Sequence, residues 1–217
     1  MRDANHILSL LTASVSMLVL ASCGGSDSAP TTVSMKISGV AATGTPVVGV
    51  AVTVTDGSGA SKVYSATDKT GTYSVTVSGT PALLSAVITP SASGSATANL
   101  NPLTSLITQR ALGFVPTQAS TSAQMTAAHL SASTVSQANQ DVTTALKPLT
   151  TAYGVSAATL ADPVGTAYVA NAASNPLDAL FDKTNFNVHS GQVTAGYHTA
   201  AASVTIPPSG ALQGLHR

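Results

Sequence analysis

Apolar residues recur at every second position from Val33 to about Ala98. Met35 and Ile37 alternate with polar neighbours, Val50, Val52 and Val54 with Ala51, Thr53 and Thr55, and Tyr73, Val75 and Val77 with Ser74, Thr76 and Ser78. A period of two with β-branched and aromatic residues is the signature of half-buried strands. The stretches between are turn chemistry: Thr43-Gly44-Thr45-Pro46, Asp56-Gly57-Ser58-Gly59 and Asp68-Lys69-Thr70-Gly71. In the last, the Asp carboxylate caps its own turn and Gly71 takes a positive φ. Short strands joined by such turns predict a small antiparallel β-sandwich over 33–98.

Past Ala98 the period changes. Asn101-Pro102-Leu103-Thr104-Ser105-Leu106-Ile107 opens a helix. Asn is a good N-cap, and Pro fits the first helical position, where its missing N–H has no partner to lose. Leu103, Leu106, Ile107 and Ala111 share one face, and Gly113 is the stop. The same device returns at Asn175-Pro176-Leu177-Asp178-Ala179-Leu180-Phe181. Thr134–Ala152 reads as the longest helix, with a stripe of Val135, Ala138, Val142, Ala145, Leu146, Leu149 and Tyr153. Pro148 is expected to kink it and Gly154 to end it. A shorter helical piece is expected around Met125 and Leu130, and Asp162-Pro163 is expected to open another. Strand periodicity resumes at Phe186-Asn187-Val188, turns at Ser190-Gly191 and returns along Gln192-Val193-Thr194, with a last strand at Ser203–Ile206 and a frayed end from Pro207-Pro208. The expected fold class is α+β: a small antiparallel β-sandwich, then a small helical region over 99–217 with a C-terminal β-hairpin.

The N-terminus reads as an export signal. Met1–His6 is polar, with Arg2 beside Asp3, and Ile7–Leu20 is apolar apart from Ser9, Thr12, Ser14 and Ser16. That run falls short of the ~20 residues that span a bilayer, and it ends on small residues. Next comes Cys23, the one cysteine of the chain, in Leu20-Ala21-Ser22-Cys23-Gly24-Gly25. A lone thiol in an oxidising compartment is a reactive liability, and a thioether removes it. The segment resembles the lipobox of bacterial lipoproteins. The resemblance implies cleavage before Cys23, a diacylglyceryl group on its sulfur, further acylation (palmitate) and attachment to a membrane. Gly24 in place of aspartate implies the outer membrane. Ordinary secretion with cleavage nearby, and an uncleaved anchor helix, are the alternatives. The expected organisation is a signal peptide over 1–22, a Gly/Ser/Asp/Pro tether over 23–32, the sandwich over 33–98 and the helical region over 99–217.

Two motifs carry a second resemblance. Gly44-Thr45-Pro46-Val47-Val48-Gly49-Val50-Ala51-Val52-Thr53-Val54 encodes a bend into a strand, and Thr67-Asp68-Lys69-Thr70-Gly71-Thr72-Tyr73-Ser74-Val75 a tight hairpin. Together they resemble the carboxypeptidase regulatory-like family, over roughly 33–90. The resemblance implies a transthyretin-like fold and an accessory role, with no catalytic residues to carry over. The order of sandwich, Asn-Pro-Leu-Thr segment and helices is also similar to that of uncharacterised proteobacterial lipoproteins.

Charged residues make up 7% of the chain, against about 25% in ordinary soluble domains. Glutamate is absent, and eight Lys/Arg balance eight Asp. With no basic stretch there is no footprint for nucleic acid. With 44% hydrophobic residues but no Trp, three Phe and five Tyr, the core must be built mainly of Val, Leu, Ile and Ala.

No catalytic constellation emerges. His129, His189, His198 and His216 are too dispersed for a helical ligand pair, although His189 and His198 flank a predicted hairpin. Gly154-Val155-Ser156-Ala157-Ala158 lacks the final Gly of a nucleophile elbow and follows no strand. Asp178 and Asp182 lie four apart on one helix, where Asp178 suits the helix N-terminus and Asp182 a solvated face. The expectation is a non-enzymatic lipoprotein of the cell envelope, held at the membrane by Cys23 and binding an envelope protein, with no cofactor, metal or catalytic residue. The alternative is an accessory or subunit of an envelope hydrolase whose sandwich binds carbohydrate or peptide.

Overall fold

Alternating burial along three strands organises the first half of the molecule. The structure is a computed structural model and describes residues 34–56, 61–78, 81–83, 94–116, 131–172, 174–187, 192–197, 200–206 and 213–216. The chain divides into the compact units Met1–Thr31 and Thr32–Arg217, the first lying wholly outside the described residues. In the second, β1 (Ser34–Val40), β2 (Ala42–Thr43), β3 (Thr45–Pro46), β4 (Ala51–Asp56), β5 (Ser61–Ala66), β6 (Thr72–Ser78), β7 (Pro81–Leu83) and β8 (Gly94–Thr97) come first. They form three-stranded sheets of order β6-β1-β8 and β5-β4-β7, with β2 and β3 a minimal hairpin about Gly44. Met35 and Ile37 of β1, Val52 and Val54 of β4, and Tyr73, Val75 and Val77 of β6 enter one buried cluster. The predicted alternation therefore holds from Val52 onward, whereas Val50 precedes β4 and stays exposed.

The strand pairing departs from an all-antiparallel arrangement. β1 runs antiparallel to β6 but parallel to β8, with Ile37 opposite Val75 on one side and Ala96 on the other. β5 and β8 were not legible as strands. Ser61–Ala66 and Gly94–Thr97 carry mostly small or polar residues, and pairing with a neighbour defines them.

Helices α1 (Pro102–Leu112), α2 (Ala132–Ala152), α3 (Ala157–Ala161) and α4 (Pro176–Lys183) follow. α1 begins as expected, with Asn101 and Thr104 in a reciprocal capping box. It ends at Gly113, whose φ of 77° places it in the left-handed region. α2 starts two residues before the expected helix, capped by Ser131, and keeps Pro148 inside. Its predicted stripe packs with Leu103, Leu106, Ile107, Leu177, Leu180 and Phe181 in a second cluster. Arg110 joins α1 to α2 through Asp141 at 2.9 Å.

Two expectations fail here. Asp162-Pro163 opens no helix: Asp162 closes α3, its carboxylate accepting from Gly165 N at 2.9 Å and its carbonyl from Thr166 N at 2.9 Å. Asp, Pro and Gly at the first, second and fourth places also specify a tight turn, and the turn prevails. The frayed end is the second: the expected C-terminal hairpin is present as β9 (Thr184–Asn187) against β10 (Gln192–Tyr197), and β11 (Ala200–Thr205) and β12 (Gln213–His216) extend it into a four-stranded antiparallel sheet of order β12-β11-β10-β9. The end is paired rather than frayed at Gln213–His216, because β11 supplies backbone partners that alternation alone does not reveal. The expected turn at 57–59, the helical piece around Met125 and Leu130, and the turn at Ser190-Gly191 lie outside the described residues.

The clusters exchange residues across position 98. Val164, from beyond α3, joins the strand cluster, while Ala42 joins the helical one. Asn99, 1% exposed, ties the halves. Its N–H donates to Val164 O at 2.8 Å, its Oδ1 accepts from Val40 N at 3.3 Å, and its Nδ2 donates to Thr166 O at 2.6 Å.

Candidate functional site

Among the described residues, those singled out for chemistry are not brought together. Cys23, His129, His189 and His198 lie outside the described residues, and of His216 only the strand position in β12 is described. Ser156 is the N-cap of α3, its Oγ accepting from Thr159 N at 3.1 Å. That explains why the motif around it resembles a nucleophile elbow only in part: a helix begins there, but from a capping serine with no strand before it.

Asp178 and Asp182 share α4 but not a surface, since Asp178 is 1% exposed and Asp182 is exposed. Asp178 sits in the first turn of α4, as its charge suits. Its larger role is to gather the preceding loop. It accepts from Tyr168 Oη at 2.6 Å, Ala172 N at 2.9 Å and Asn171 N at 3.3 Å. Burial, and then the hydrogen bond and negative charge of Asp178, push the Tyr168 phenol well above its usual range, so it is held as a donor. Asn171 N also donates to Gly44 O at 3.0 Å, which anchors the β2–β3 turn to this loop. The arrangement is a structural clamp with every oxygen turned to the chain itself.

Asp68 and Asp141 are similarly engaged. Asp68 Oδ1 accepts from Thr70 N at 2.8 Å, Thr70 Oγ1 at 2.6 Å and Thr72 N at 2.9 Å. These bonds, led by the Thr70 hydroxyl, hold its carboxyl below the usual range. Asp141 takes Arg110 and, at 2.8 Å, Gln137 Nε2.

A concave surface does exist where strand and helix meet. A cleft of about 340 Å³ is walled by β8 through Ala96 and Thr97, and by α2 through Ala132, Val135, Ser136 and Asn139. Ile107 of α1 lies at its base, and Asp162–Gly165 closes the far side. The volume lies at the low end of ligand-binding clefts. Asn139 Nδ2 donates to Leu160 O at 3.1 Å and Ala161 O at 3.0 Å, fixing the end of α3 against α2. Two carbonyl acceptors assign the amide orientation and leave Asn139 Oδ1 buried without a partner among the described residues. Ser136, Asn139 and Ala161 also wall a wider depression of about 560 Å³ along the hydroxyl-rich face of α2.

The cleft was not legible in the sequence. It joins strand, helix and turn residues far apart in the chain. One local signal pointed to it: Asp162-Pro163-Val164-Gly165, whose turn reading brings Val164 beside β8. Compared with family models, curated proteins and solved structures, the chain matches none of them.

Proposed function

We propose that this chain is a non-enzymatic lipoprotein of the cell envelope, anchored to the outer membrane through Cys23 and presenting a protein-binding surface. The observation that carries the reading is Leu20-Ala21-Ser22-Cys23, the lone cysteine at the end of an apolar segment and ahead of a Gly/Ser/Asp/Pro stretch. Diacylglyceryl on the sulfur and a further acyl chain on the new amino terminus would give stable attachment, since each buried methylene contributes roughly 0.8 kcal/mol.

The aspartates support the binding role. Catalysis needs titratable groups brought together and left accessible to substrate. Asp68, Asp141 and Asp178 are instead spent on a turn, an ion pair and a loop clamp. The strand half is read as a transthyretin-like sandwich of the carboxypeptidase regulatory-like kind. Two three-stranded sheets sharing one cluster support that reading, and the parallel β1–β8 pair is its point of departure. In this role the strand half is a spacer and scaffold for the surface where it meets the helices.

Two measurements test the proposal. Cross-linking of the anchored protein in cells should trap a specific envelope protein, and Cys23→Ser should abolish the adduct by releasing the chain from the membrane. The purified mature chain should turn over no ester, peptide or glycoside substrate. Turnover that copurifies with the chain and falls with a point substitution in it would contradict the proposal in favour of a hydrolase.

A further inference from the structure

The cleft beside β8 has a chemical character set by the strand's backbone. Ala98 and Leu100 turn their N–H groups toward β1, donating to Ser38 O at 2.8 Å and Val40 O at 2.9 Å. Backbone groups alternate sides along an extended chain. Asn99 therefore faces away from β1, and its N–H meets Val164 O at 2.8 Å. By the same alternation, the N–H and C=O groups of Thr97 and Ser95 face outward as well. Among the described residues no strand or hydrogen bond takes them up. Val164 begins a pairing that does not continue, because the N–H groups of Gly165 and Thr166 turn back to Asp162.

The cleft lies along this open edge. Successive side chains of a strand point to opposite faces of the sheet. Ala96 and Thr97 both border the cleft, so it runs along the rim of β8 rather than over either face. Ile107, Val135 and Val164 are apolar residues of its lining, and Asp162 is the one charged residue among the described lining residues.

We infer that the outer edge of β8 is a strand-addition site for a short extended segment of a partner protein. The segment hydrogen-bonds to Ser95 and Thr97, lays an apolar side chain over Ile107, Val135 and Val164, and sets a basic side chain against Asp162. Main-chain bonding of this kind supplies affinity, and the pocket and the charge supply selectivity. The inference rests on the binding-module reading and names the partner's chemistry.

The test pans a phage-displayed library of short random peptides against the full mature chain. Enriched peptides should share an apolar residue next to Lys or Arg. The best of them, synthesised, should slow hydrogen exchange at the Ser95 and Thr97 amides. N-methylating one of its ladder amides should weaken binding by about tenfold, the cost of one unmade main-chain bond. Thr97→Pro, which removes an N–H the fold itself does not use, should weaken binding similarly. Asp162→Asn keeps an acceptor for Gly165 N and should flatten the salt dependence. The N-methylated peptide tests the ladder on unaltered protein, so a Thr97→Pro chain that fails to fold leaves the inference open to refutation. No enrichment, equal binding after N-methylation, protection at other amides, or slowed exchange at Ser95 and Thr97 through self-association without peptide would each overturn the site. Cleavage of the peptide during titration would instead contradict the binding-module reading.

Discussion

At Gly71 the backbone takes a φ of 76°, and an added Cβ would run into the Ala41 carbonyl. The same residue donates to Asp68 O and accepts from Ala41 N, so the turn has little room to shift. Gly71→Val should cost about 1–3 kcal/mol from the backbone conformation alone, with the carbonyl contact adding to it. An unchanged urea midpoint would contradict this account of the hairpin. Tyr73, 4% exposed, donates its hydroxyl to Ala98 O, and burial pushes its phenol above the ordinary tyrosine range. A raised folded-state pKa means that the stabilisation is fully present below the unfolded value of about 10 and is lost as pH rises past it. Tyr73→Phe should therefore cost about 1 kcal/mol at neutral pH, for the carbonyl left unpaired, and melt with a shallower decline in alkali. An alkaline decline as steep as that of the unaltered chain would show that Tyr73 is not its source. At this scale the Asp68–Gly71 turn was legible because its chemistry is local. The clamp at Asp178 was not, because Tyr168 and Ala172 reach it through a loop whose path no periodicity announces.

Helix caps make a sharper comparison between elements. The two Asn-Pro-Leu segments look alike in sequence, yet Asn101 takes part in a reciprocal box with Thr104 and is 3% exposed, whereas the Asn175 side chain makes the single cap bond, accepting from Leu177 N at 3.0 Å. Asn101→Ala should lower stability by about 1–2 kcal/mol and Asn175→Ala by less, read as the order of their melting temperatures. The reverse order would mean that the box adds nothing beyond a single cap. Elements with β-branched alternation or a capped apolar stripe were legible: β1, β4, β6, α1, α2 and α4. β5 and β8 were not, since Ser61–Ala66 and Gly94–Thr97 become strands through their neighbours; of β11 the end over 203–205 was legible, whereas the Ala200-Ala201-Ala202 run joins it through pairing with β10. Asp162-Pro163 was misread because one pair of residues serves both a helix start and a turn.

Across the whole molecule, a sparsely charged composition and a cleft at the junction of strands and helices accord with the proposed binding module. In the proposed reading the chain is held at a membrane and offers the edge of β8 to a partner. The proposed anchor rests on the contiguous segment Leu20-Ala21-Ser22-Cys23, whereas the cleft is assembled by the tertiary fold and its one linear signal is the Asp162-Pro163-Val164-Gly165 turn. The claim on which location and role both depend is that Cys23 is the first residue of the mature chain and carries lipid. Intact and peptide-level mass spectrometry of the protein extracted from membranes tests it directly. The account predicts an N-terminal peptide beginning at Cys23 and bearing diacylglyceryl and acyl groups. A mature chain that begins elsewhere, or a free thiol at Cys23, would contradict it.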